Sequence, residues 1–291
     1  MGETDNPSPA VQRRRLRTEL RRARERAGLT RDQVTTALEM SMSKIVRIEA
    51  GTVGISANDL RALLNLYHVQ DPDDVNSLLA LARGGREKPI RSQYGDAASP
   101  ALLELIELEA AASSTRHFQP LMVPGLLQTR EYARVILEQL NRGRGVSDEL
   151  IEARVEVRMK RQELLVRDDA PELFFVLDEA VTRRLVGGPQ VMRRQLDRLI
   201  DLAARDRITV EVLPFGAGAY PALNGSFVIY GFPGAADADV LYQEGPEGDE
   251  ISSDNPKLIS RYRDIFKELR RLSLGPEGSL SFLNALAKEL S

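Results

Sequence analysis

The chain has 291 residues, 42% hydrophobic and 29% charged, with a formal net charge of −3, the make-up of a globular protein with apolar material for one or two cores. It has no cysteine and only two histidines, His68 and His117; this excludes disulfides and thiolate metal sites and argues against zinc, so neither metal nor cofactor is expected. No apolar run is long enough to cross a bilayer, and the opening MGETDNPSPAVQ lacks the basic-then-apolar pattern of a signal peptide, so the expectation is a cytoplasmic protein without membrane contact.

Residues 1–12 are polar, with Pro7 and Pro9, and read as a disordered arm. A helix is expected from Arg13 to Ala27, with Leu16, Leu20, Ala23 and Ala27 inward and Gly28 as its C-cap. Thr30 then caps a second helix, and Gln33 three residues on completes a capping box. Val34 and Leu38 recur at helical spacing, and the chain turns near Glu39 and Met40. Ser41 caps a third helix whose buried stripe is Ile45 and Ile48, which puts Ser43, Lys44 and Arg47 on the opposite face. Gly51 ends it. Ser56 to Asp59 opens a fourth helix through Leu60, Leu63, Leu64 and Tyr67, and Asp71-Pro72 opens a fifth with Val75, Leu78, Leu79 and Ala82. Residues 13–83 thus form an all-helical module, and 84–100, punctuated by Gly84, Gly85, Pro89, Gly95 and Pro100, form a linker.

Residues 101–291 read as a second domain. Helices are expected over Ala101–Ala112, Leu126–Leu140, Asp148–Arg167, Glu179–Val186, Pro189–Arg205, Asn255–Leu272 and Glu277–Leu290. Strands are expected over Thr115–Leu121, Glu172–Leu177, Ile208–Leu213, Ser226–Gly231 and Val240–Gln243, with a turn at Asn224-Gly225. The fold class is therefore two domains: an all-α module followed by an α+β domain with a small mixed or antiparallel sheet.

Two short helices joined by a tight turn, the second with donor-rich residues at its start, form the unit that enters a DNA major groove. Charge supports this. Between Val11 and Gly51 eleven Lys and Arg face five Asp and Glu, a local excess of six positive charges on a chain that is acidic overall. The candidate DNA contacts are Arg31, Gln33, Ser41, Ser43, Lys44 and Arg47. Arg47 is the leading candidate for a base or phosphate contact, its alternative being an ion pair with a nearby Glu or Asp, and Gln33 has its capping box as the alternative, though a capping Gln can still face DNA. The Arg13–Arg15 cluster is either a phosphate arm or a solvated helix start. Glu49 reads as structural, pairing with an arginine of the first helix. No GxSxG, HExxH or P-loop pattern occurs, so no catalytic residue is assigned and an enzyme is not expected. Glycine-rich Phe215 to Gly218 reads as a strand connector. Gln128 and Arg134 are candidate polar groups of a pocket or interface.

The motif Ala37 to Gly51, ALEMSMSKIVRIEAG, resembles the Xre (Cro/repressor-like) helix-turn-helix family, and within it actinobacterial regulators with a motif near ALEWSPSKISRIETG. Met40 stands where that family has Trp, Met42 where it has Pro and Val46 where it has Ser; the first reads as a core exchange, the other two as changes to the DNA-reading face. The second domain resembles an antitoxin-like ligand- or partner-binding domain that follows such helix-turn-helix units. That resemblance rests on Glu109-Ala110, Pro124 to Thr129, Tyr132 to Arg134, Arg158 with Arg161-Gln162, Asp178-Glu179, Val212 to Phe215, Gly225 to Phe227 and Tyr242 to Glu244. Together the resemblances imply a lambda-repressor-like fold for the first module and a transcriptional regulator that binds double-stranded DNA. A single helix-turn-helix covers too few base pairs for genomic specificity, so a homodimer on a pseudo-palindromic site is expected. The second domain dimerises and senses either a small protein encoded nearby or a small-molecule effector. An antitoxin-like interaction module and a small-molecule sensor both stay open.

Overall fold

The computed structural model describes residues 9–49, 54–84, 97–223, 225–232, 239–245, 248–252 and 255–290. The chain folds as two compact units. One is built on the N-terminal helices together with residues 102–111, the other on the chain from residue 112 onward.

In the first unit α1 runs Pro9–Arg26, α2 Arg31–Leu38, α3 Met42–Glu49, α4 Ala57–Leu66 and α5 Pro72–Gly84. Their apolar stripes meet in one core: Leu16, Leu20 and Ala23 of α1 pack with Val34, Ile45, Ile48, Leu60, Leu63, Leu64, Leu78 and Leu79. At ~1.5–3 kcal/mol for each fully buried aliphatic side chain, this core is what holds five short helices that would not persist alone. Two expectations are corrected here. The arm was drawn through residue 12, but α1 already begins at Pro9, where proline suits a first helical turn; residues 1–8 lie outside the described residues. The linker was drawn from Gly84, but Gly84 closes α5. A Cβ there would meet the far end of the flexible Gln12 side chain, which marks where α1 and α5 approach each other. Residues 85–96 and Gly51 lie outside the described residues.

Helix α6, Pro100–Ala111, was expected to open the second domain, yet residues 102–111 group with the first unit. Arg17 Nη1 donates to Glu104 Oε1 at 2.6 Å, and Arg13 pairs with Glu107.

The second unit holds a six-stranded mixed sheet in the order β3-β2-β1-β4-β5-β6. The strands are β1 Ser114–Gln119, β2 Glu172–Asp178, β3 Ile208–Leu213, β4 Phe227–Gly231, β5 Val240–Gly245 and β6 Gly248–Ser252. β1, β2 and β3 are parallel, with His117 beside Phe175 and Phe175 beside Val210, while β4, β5 and β6 join antiparallel. The helices are α7 Arg130–Leu140, α8 Asp148–Arg161, α9 Glu179–Arg183, α10 Pro189–Ala203, α11 Pro256–Leu272 and α12 Gly275–Glu289. Parallel strands need helical crossovers, which cover both faces of the sheet. On one face Leu173, Phe175 and Leu177 pack on Met192, Leu196 and Leu199 of α10 and Leu283 and Leu286 of α12. On the other, Phe118, Val176, Phe227 and Leu241 pack on Ile259, Phe266 and Leu269 of α11. Double coverage is why β2, ELFFVL, is almost continuously apolar rather than alternating.

The expected helix Leu126–Leu140 divides into a 3-10 turn, Gly125–Leu127, and α7, because Thr129 accepts from Tyr132 N and caps α7 afresh. Asp148–Arg167 likewise divides into α8 and a 3-10 turn over Gln162–Val166, and α9 ends at Arg183 rather than Val186. Strand β6 was not expected at all.

Candidate nucleic-acid interface

The turn between α2 and α3 is built by local chemistry. Thr30 Oγ1 accepts from Gln33 N at 3.3 Å, and Thr30 N donates to Gln33 Oε1 at 2.8 Å, which completes the capping box. Glu39 closes α2 in the left-handed region at φ 52°, a conformation that normally selects glycine or asparagine. Met40 N returns to Thr35 O at 3.1 Å, and Met40 packs against the core, as expected of a residue in place of Trp. Ser41 Oγ accepts from Lys44 N at 3.2 Å and so caps α3.

Ile45 and Ile48 anchor α3, and the residues between them face outward. Ser41, Met42, Ser43, Val46 and Arg47 are exposed and Lys44 is half-buried. Met42 and Val46 therefore place apolar surface among the polar donors of the outer face.

The candidate cations differ in their engagement. Lys44 Nζ pairs with Asp59 Oδ1 at 3.1 Å. Asp59 also accepts from Ser56 Oγ, and the two contacts, the serine first, hold its carboxyl below the usual carboxylate range. Arg31 Nε pairs with Glu49 Oε2 at 2.7 Å, while Arg24 Nε of α1 pairs with Glu49 Oε1 at 2.6 Å. Glu49 is thus the structural acid that binds the end of α3 to α1, its side chain only 4% exposed. Gln33 is exposed and commits its Oε1 to Thr30. Arg13, expected as either a phosphate arm or a solvated helix start, pairs with Glu107, and the side chain of Arg14 lies outside those described. The pairing of Asp59 with Lys44 is not visible in the sequence. The only signal was the third position of Asp59 in the α4 capping pattern, which says nothing of a lysine fifteen residues earlier.

The motifs of the second unit gather into two hydrogen-bonded clusters. Around Pro124 to Thr129 three glutamines satisfy main-chain groups that no regular helix or strand pairs. Gln128 Nε2 donates to Val123 O at 2.6 Å and its Oε1 accepts from Arg158 Nη1 at 2.7 Å. Gln162 Nε2 donates to Gly125 O and Gln128 O, and Gln195 bridges Thr129 N and Leu127 O. Gln128 is 1% exposed, with both ends of its amide used. Arg134 is exposed on α7 and ion-paired with Glu138 and Glu152. In the second cluster Asp178 caps α9 and accepts from Tyr220 Oη at 2.6 Å, while Glu179 accepts from Phe215 N at 2.8 Å. Burial and the neighbouring Asp178 carboxylate push the Tyr220 hydroxyl well above its ordinary pKa. These two acids latch the Phe215 to Tyr220 connector onto the end of β2.

Among the described residues there is no group of three or more His, Asp or Glu able to hold a metal ion, and no helix long and apolar enough to cross a membrane.

Residues 15–78 match a helix-turn-helix domain family, and residues 102–285 match a family described as a domain of unknown function, DUF5753. No curated protein and no solved structure matches the chain. The second match covers more than half of the sequence and begins within α6, and the first covers the helices that form the turn. The chain belongs to the DUF5753 family and carries a helix-turn-helix domain ahead of it.

Proposed function

We propose that this protein is a sequence-specific transcriptional regulator of the Xre type, binding double-stranded DNA through α3 as a homodimer, with Arg31, Gln33, Ser41, Ser43, Lys44 and Arg47 as its DNA contacts. The observation that carries the reading is the two-sidedness of α3: Ile45 and Ile48 dock it, and Ser43, Lys44 and Arg47 lie on its other side. Arginine is the commonest base-edge partner of guanine, and lysine neutralises phosphate. In this reading the N-terminal helices, with residues 102–111 packed on them, read DNA, and the chain from residue 112 serves regulation. One helix-turn-helix reads too few base pairs for genomic specificity, so two copies on half-sites about one helical turn apart are required. The second unit dimerises and senses a small protein encoded nearby or a small-molecule effector, with Gln128 shaping the fold around that site and Arg134 at its surface. Antitoxin-like activity and the actinobacterial lineage belong to the same reading.

The experiment is recovery of bound DNA from the genome, followed by gel shift on the recovered sites with Lys44→Ala and Arg47→Ala. Arg47→Ala should cost ~1–3 kcal/mol and relax preference at one base position. Lys44→Ala should weaken all sequences alike and lower the salt slope by about one. Unchanged affinity and salt dependence in both variants refutes the assignment of α3.

A further inference from the structure

An open cavity of about 240 Å³ lies where the 3-10 turn Gln162–Val166 and the following loop meet the starts of β2 and β3. Leu165, Leu173 and Ile208 give it an apolar floor, and Arg167, Arg205 and Arg207 give it a cationic rim. We propose that this cavity is a binding site for a small organic anion, a carboxylate or phosphate carried on an apolar body, and that Arg205 and Arg207 hold its charged head.

Three observations support the assignment. The first is pre-orientation. Arg205 Nη1 donates to Leu165 O at 3.4 Å and Arg207 Nη1 to Ala170 O at 2.7 Å. Each guanidinium is held on a main-chain carbonyl of the cavity wall, which fixes its direction without neutralising its charge. Among the described residues no carboxylate lies within ion-pair distance of either; Asp169 is paired with Arg167 and acts on Arg207 only through space. A guanidinium has five N–H donors in a rigid fork that matches a carboxylate or phosphate, and one bond to a carbonyl leaves the rest of the fork available.

The second is charge balance. Asp206 also lines the cavity and offsets part of the positive charge. Behind the rim, Arg198 of α10 is half-buried beside Arg205. Burial first, and then the Arg205 charge, depress its guanidinium, with Asp201 acting against them. An anion at the rim relieves this like-charge crowding.

The third is size and polarity. The cavity falls below the ~300–1,000 Å³ typical of drug-sized ligands, so a metabolite-sized molecule fits. Val166 at its mouth is 68% exposed, and an apolar ligand body would cover it.

The proposal deepens the reading of the second unit as a sensor by naming the ligand class. Binding at the cavity is measured separately from its effect on DNA, so failure of the site leaves a protein partner open as the effector. The test is calorimetry on the full chain with benzoate, phenyl phosphate and inorganic phosphate as probes, each to about 10 mM, ten times the concentration at which a weak site of ~1 mM half-fills. Benzoate or phenyl phosphate should bind saturably at one site, and inorganic phosphate more weakly because it lacks the apolar body. Arg205→Gln and Arg207→Gln should each weaken binding at least about tenfold, while Arg271→Gln, on the exposed side of α11, should not. If either cavity variant fails to fold, the other and Arg167→Gln carry the test, the last with a smaller loss. No saturable binding of either aromatic probe, or equal loss in the Arg271 variant, overturns the proposal. A carboxylate head is favoured if benzoate binds more tightly, and a phosphate head if phenyl phosphate does; either supports the site.

Discussion

His117 offers a quantitative test of the sheet. Its ring is buried in β1, stacked on Phe175 with centroids 4.4 Å apart, and its Nε2 lies 2.9 Å from Thr115 Oγ1. Burial, aided by the nearby Arg161 charge, pushes its pKa down from 6.5 to about 3. The folded protein therefore keeps the imidazole neutral where the unfolded chain protonates it. The unfolded state binds more protons as pH falls through 6.5, so stability is complete above that value and is lost progressively down to about pH 3. At ~1.36 kcal/mol per pH unit for one proton, integration from about pH 7 to about pH 4.5 gives a loss of about 2.5 kcal/mol from this residue alone. The perturbation is His117→Phe, which keeps a ring against Phe175 and removes the titration. Loss of the Thr115 contact costs it about 1 kcal/mol at every pH. Urea unfolding followed by circular dichroism at both pH values should show the wild type losing about 2.5 kcal/mol more than the variant on acidification. Equal pH dependence in the two proteins, or an imidazole NMR resonance of His117 that titrates above about pH 5, refutes the reasoning.

Glu49→Gln should destabilise the first unit by roughly 2–4 kcal/mol in thermal unfolding, because it leaves the nearly buried Arg24 with only the more distant and exposed Glu25 carboxylate, 3.8 Å away, as counter-charge. Glu39→Gly should raise stability by up to about 1 kcal/mol, since glycine takes the left-handed cap without steric cost and Glu39 is exposed; a drop in melting temperature would contradict this. Gln195→Leu should cost about 2–4 kcal/mol by orphaning Thr129 N and Leu127 O in the interior, measured by urea unfolding of the second unit. Light scattering of the free protein and of its DNA complex should show two chains per site, and one chain on DNA at full affinity would contradict the dimer.

The first unit was legible in the sequence nearly residue by residue, because short-range rules govern it. Thr30 and Gln33 cap as their spacing requires, and the Ile45–Ile48 stripe fixes which face of α3 is outside. The ion pairs that restrain the outer face were less legible. Lys44 and Asp59 meet only because two helices pack, and no spacing rule joins them. Glu49 was the exception, since its place at the end of α3 already suggested an arginine of α1. In the second unit the apolar runs located five strands, but their order depends on pairing between distant segments, and the parallel set β1-β2-β3 could not be told from an antiparallel one. β6, with the sequence GDEIS, has too little apolar content to register as a strand. Gln128 looked like a pocket residue because a polar residue within an apolar motif suggests function; folded, it joins Gln162 and Gln195 in meeting the hydrogen-bonding needs of the turn around Gly125–Leu127.

Helix α6 has a consequence for anyone exchanging parts between relatives. The family match begins at residue 102, yet residues 102–111 pack with the first unit, and only Ala112 and Ser113 separate the helix from β1. A chimera joined at the family border would import a foreign α6 and set its side chains against Arg13 and Arg17, whose partners here are Glu107 and Glu104. A fragment cut at Gly84 would strip away the helix and with it the Glu104 and Glu107 carboxylates, so the surface around Arg13 and Arg17 would become more positive and a DNA affinity measured on the fragment would not be that of the intact chain. Hybrids and fragments that preserve the native electrostatics of α1 must be joined after Ala111.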